Sequence, residues 1–138
     1  MKTKSKIFVA TLMALIAITF ACTRPQPEDL IIGTWKVDTI FTTNVDTSLV
    51  DPMRLQQVLE MQKQVYFVIN ENGQMDLISP FGAKTANWEM NNDSLILTAT
   101  FIDNNQVSKI KFDEITKEKL VLKEESNTGT FITEYRKQ

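Results

Sequence analysis

From residue 31 onward the chain alternates apolar and polar positions with a period of two, in short runs cut by turn-forming clusters. The first run, residues 32–43, puts Gly33, Trp35, Val37, Thr39 and Phe41 on one face. Thr34, Lys36 and Asp38 fall on the other, so Trp35 is predicted to point inward. Seven further runs follow at residues 65–70, 74–79, 83–90, 94–102, 106–116, 119–126 and 130–136. Their inward faces carry pairs and triplets such as Ala86, Trp88 and Met90, Leu97 and Phe101, Ile110 and Phe112, and Phe131 and Tyr135. Asn72-Gly73 between the second and third runs is a strong two-residue hairpin signal, and Asn, Asp, Gly, Pro or Lys-Glu clusters separate the others.

One stretch breaks the alternation. Residues 44–64 form the longest connection between strands, and Asp51-Pro52 within it is a helix start. The aspartate can cap the first turn, and proline suits the first helical position. Met53, Leu55, Val58, Leu59 and Gln62 then recur at helical spacing. A core or capping helix is expected, with a ligand lid as the alternative.

Eight short strands joined by tight turns predict an antiparallel up-and-down meander, because parallel strands would need long crossovers. Closing it into an eight-stranded barrel with one short helix after the first strand removes the edges that an open sheet would expose. A two-sheet sandwich is the alternative fold.

The first 21 of the 138 residues do not fit this pattern. Lys2, Lys4 and Lys6 precede an almost continuous apolar run over residues 7–20, and Ala21 leads to Cys22, the sole cysteine. That is the layout of a secretory signal, too short for a comfortable transmembrane span. Thr19-Phe20-Ala21-Cys22 resembles a bacterial lipobox, in which the cysteine is acylated with palmitate-type chains and becomes the new N-terminus. Several acyl chains would anchor stably, since each buried CH₂ contributes about 0.8 kcal/mol. Residues 1–21 are therefore expected to be a signal peptide, 22–30 an extended tether containing Pro25 and Pro27, and 31–138 one barrel domain. Threonine after the cysteine points to the outer membrane, on its periplasmic or its surface face.

Without the three leading lysines, 12 basic residues face 17 acidic ones. That balance argues against nucleic acid, whose binding rests on clustered Lys and Arg. The chain has no histidine, and its thiol is assigned to the anchor. No nucleophile-elbow serine and no glycine-rich phosphate loop occurs. Asp103, Glu114, Glu124 and Glu125 are placed at turns or on outward faces. No catalytic residue, metal site or cofactor is expected, and the protein reads as a non-enzyme and a monomer.

Gly33-Thr34-Trp35, the Asn72-Gly73 hairpin, Ala86-Asn87-Trp88 and Asp93-Ser94-Leu95-Ile96-Leu97, in this order and with an arginine near the chain end, resemble the lipocalins and the wider calycin group. More narrowly, residues 30–136 are similar to the small lipocalin-like lipoproteins of Bacteroidota. The helix after the first strand is closer to fatty-acid-binding proteins, which have ten strands. The resemblance implies that Trp35 plugs the closed end of the barrel and that a basic residue of the last strand, Arg136 by position, crosses its ring. It also implies a non-catalytic binder of a small apolar ligand. The candidate pocket is Val37, Phe41, Phe67, Leu77, Trp88, Leu97, Phe101, Phe112, Phe131 and Tyr135. Those side chains could instead fill a packed barrel that serves as an interaction module for another envelope protein.

Overall fold

The computed structural model describes residues 24–138; Cys22 and the expected signal segment, residues 1–21, lie outside them. A one-turn helix, α1 (Pro27–Ile31), leads into β1 (Gly33–Thr43), and a second helix, α2 (Pro52–Gln62), follows. Seven strands come next: β2 (Tyr66–Ile69), β3 (Gln74–Ser79), β4 (Gly82–Asn91), β5 (Ile96–Phe101), β6 (Val107–Ile115), β7 (Lys119–Ser126) and β8 (Gly129–Lys137). Each strand pairs antiparallel with the next, and β8 closes on β1, so the sheet is a barrel and not a sandwich. No helix among the described residues is long and apolar enough to cross a membrane.

The two ends of the barrel differ. At one end α1 forms a plug: Ile31 and Trp35 are completely buried, with Ile69, Leu97 and Leu120 beside them. The extended tether expected for residues 22–30 therefore stops short of its predicted end. Pro27 starts a helical turn in which the Asp29 carboxylate accepts the Gln26 N–H at 3.2 Å, and Asn92 accepts the Glu28 N–H at 2.9 Å. The last carbonyls of a helix lack partners inside it. Here Trp35 Nε1 donates to the Ile31 carbonyl at 2.6 Å, and Lys137 Nζ to the Leu30 carbonyl at 3.4 Å.

At the other end, α2 starts as expected, with Asp51 accepting the Met53 N–H at 2.9 Å. None of its residues is buried, however, so it is not a core helix. Its base is tied down by Asp46 N–H, which donates to the Thr128 carbonyl at 3.1 Å, while Val45 packs on Gly129. Gly129 has φ of +144°, a conformation that strongly favours glycine.

β1 contains a bulge that periodicity could not reveal. Val37 pairs with Tyr135 and Thr39 with Glu134, leaving Asp38 as the extra residue. Beyond it the faces exchange. Ile40 sits opposite the buried Thr133, and Phe41 turns outward with 47% of its surface exposed.

Candidate ligand cavity

The barrel interior is not fully packed. A cavity of about 130 Å³ opens between β2, β3 and β5 to β8. Val65, Phe67 and Ile69 line one wall with Met75 and Leu77, while Leu97, Ala99, Phe101, Ile110, Phe112 and Leu122 line the other. Ser108 and Tyr135 bring the only side-chain oxygens of the lining. Alternation explains the set: Leu97, Ala99 and Phe101 are successive inward positions of β5, paired with Ile110 and Ser108 of β6 and Trp88 and Ala86 of β4.

Of the ten predicted pocket residues, Phe67, Leu77, Leu97, Phe101, Phe112 and Tyr135 line the cavity. Four do not. Val37 stays half-buried opposite Tyr135, and the bulge sends Phe41 outside. Trp88 is inward but lies near the closed end, donating from Nε1 to the Asn70 carbonyl at 3.0 Å beside a polar cleft. Phe131 lies above the cavity, lining an outer cleft with Leu55 and Val58 of α2 and Glu124 of β7. Ile69, Met75, Ala99 and Ser108 were not selected from the sequence. Ile69, Met75 and Ala99 each lie two residues from a predicted pocket residue on the same strand, so their positions carried the signal, whereas Ser108 enters only as the register partner of Ala99.

The closed-end pair also differs from expectation. The cation over Trp35 is Lys137, with Nζ 5.2 Å from the ring centroid. Lys137 is the register partner of Trp35, whereas Arg136 sits opposite Lys36 and points outward to pair with Asp38 at 3.1 Å. A one-residue step along a strand changes the face.

Tyr135 is the most perturbed titratable group of the cavity. Its ring stands 4.9 Å from that of Phe67, tilted by 57°. Burial, helped by the negative charge of Glu124, pushes its phenol up to about 12, so it remains a neutral donor at ordinary pH. No fully sequestered side-chain polar atom lacks a partner among the described residues. The Tyr135 hydroxyl has no hydrogen-bonding neighbour among them and so keeps access to open space. Glu124 was expected on an outward face; register places it opposite Phe131, at the rim. Across the mouth, Lys84 Nζ lies 5.7 Å from the Phe101 ring centroid. Among the described residues no group of three or more His, Cys, Asp or Glu side chains could hold a metal ion.

Among the described residues, every large apolar side chain left exposed belongs to the mouth end or to the strand segments and helix that lead there. Phe81 in the β3–β4 turn is 86% exposed and Met53 of α2 is 72% exposed; Leu49, Ile102 and Val107 join them.

No curated protein matches the chain. Among solved structures, the crystal structure of a DUF4847 family protein from Bacteroides vulgatus ATCC 8482 superposes with a TM-score of 0.52 at 13% identity. The match covers 81% of this chain and 98% of that one, and at this identity it concerns the fold alone. A family profile described as lipocalin-like matches residues 42–138. With its closed eight-stranded meander and plugged end, the chain belongs to the lipocalin-like family.

Proposed function

We propose that this protein binds a small apolar molecule without transforming it, and that it does so as an outer-membrane lipoprotein anchored through Cys22. The observation that carries the binding reading is the apolar cavity of about 130 Å³ inside the barrel. An unfilled interior forfeits packing energy, and a packed barrel would have no use for it. The lipocalin-like family is in general one of binding proteins, which fits the absence of histidine from the whole sequence.

Exposed apolar groups at the mouth give an apolar ligand a path from the surroundings to the interior. The described residues begin at Arg24, three positions before α1, whose Ile31 is buried at the closed end. An anchor two residues earlier would hold the closed end toward the membrane and the mouth away from it.

Native mass spectrometry of the purified protein, prepared without detergent, tests the binding reading. Carried or added apolar molecules should appear as a mass increment on the wild type. Ala99→Leu fills the cavity from a buried position and should abolish the increment while the barrel stays folded. No increment with any apolar probe would shift the weight to a surface role, for which the exposed apolar side chains at the mouth are the specific observation. Cys22→Ser tests the anchor: the variant should leave the membrane fraction or stay unprocessed, and maturation and fractionation like wild type would refute it.

A further inference from the structure

We infer that the cavity selects a compact, uncharged ligand that offers a hydrogen-bond acceptor to the Tyr135 hydroxyl. This rests on the binding reading and names the chemistry of its ligand. Size comes first. An apolar cavity of about 150 Å³ accepts benzene, so the space here suits one ring or a short branched chain. A long acyl chain would need several side chains to move.

Polarity follows from the lining. No lysine or arginine borders the cavity, and its two oxygens are hydroxyls. Tyr135 is held in place by Phe67, its hydroxyl lacks a protein partner among the described residues, and it keeps its proton through the physiological range. It is therefore a donor waiting for an acceptor. A carboxylate drawn inside would lose its hydration without gaining a cation. The two charges at the mouth, Lys84 over Phe101 and Glu124 opposite Phe131, are of opposite sign and exposed. An acid could meet Lys84 only by staying in water at the rim.

The test is a titration of the purified protein with three ring-sized probes, followed by NMR at pH 7.5: cyclohexanone, methylcyclohexane and cyclohexanecarboxylate. Cyclohexanone should bind, and Tyr135→Phe should weaken it about fivefold, the worth of one neutral hydrogen bond. The same variant should leave methylcyclohexane unchanged, and thermal unfolding at neutral pH checks that it is folded. The carboxylate should bind wild type at least tenfold more weakly than the ketone. Equal binding of carboxylate and ketone overturns the inference. So does an equal effect of Tyr135→Phe on both neutral probes, or a loss that follows Ser108→Ala instead. Failure of both neutral probes to bind wild type removes the binding reading itself, a result distinct from these.

Discussion

Lys137 Nζ lies 5.2 Å from the centroid of the Trp35 ring, and Gly33 is what lets it reach that place. A Cβ on Gly33 would overlap Lys137 Cε, and the residue has φ of +137°. The Gly-x-Trp at the head of β1 is thus one device. The glycine admits the lysine stem, the tryptophan underlies its charge, and both side chains close the last carbonyls of α1. Trp35→Ala should cost about 3–5 kcal/mol in chemical denaturation, since it removes a completely buried ring. Trp35 and Lys137 substitutions should be non-additive in a double-mutant cycle. Arg136→Ala should change stability by under about 1 kcal/mol, because its ion pair with Asp38 is exposed. A large loss from Arg136→Ala, with additivity at Trp35 and Lys137, would reverse this assignment.

Gly129 is predicted to be the second intolerant glycine. An added Cβ would stand 3.0 Å from Val45 Cα and 3.2 Å from the Thr43 carbonyl oxygen, in a backbone conformation that alanine resists. Gly129→Ala should destabilise by more than about 1 kcal/mol, with faster amide exchange in residues 44–50. Gly73→Ala has open space around it and should suffer only the backbone penalty. Equal costs at the two glycines would show that the Val45 approach is irrelevant.

The raised phenol of Tyr135 predicts a dependence on alkaline pH. The folded value is about 12, against an ordinary value of 10.0. The stabilisation this represents is complete below pH 10 and is lost as pH rises through 12. Wild type should therefore lose roughly 2–3 kcal/mol across that window beyond what Tyr135→Phe loses. Parallel curves for the two proteins would mean that the hydroxyl is not in a desolvated site.

Because α2 buries no residue, replacing Pro52–Gln62 with a short Gly-Ser bridge should leave the barrel folded. The thermal midpoint should fall by only a few degrees. Dissociation of a cavity-bound probe should speed up, since α2 borders the cleft above Phe131. Global unfolding of the deletion would make α2 part of the core after all.

Periodicity alone determined the eight strands, their order and the helix start at Asp51, because side-chain alternation and turn chemistry are local properties of the chain. Six of the ten pocket residues it predicts are among the thirteen that line the cavity, each at an inward position of its strand. Three further features required the tertiary structure. The bulge at Asp38 depends on how β1 meets β8, a partner almost one hundred positions away, and it alone decides that Ile40 and not Phe41 faces in. The choice of Lys137 over Arg136 is a matter of register across the same seam, where one residue exchanges the faces. The turn of helix at Pro27–Ile31 has no apolar pattern of its own. It forms because the barrel end opposite the mouth offers Ile31 a place to be buried, where its carbonyl accepts the Trp35 N–H.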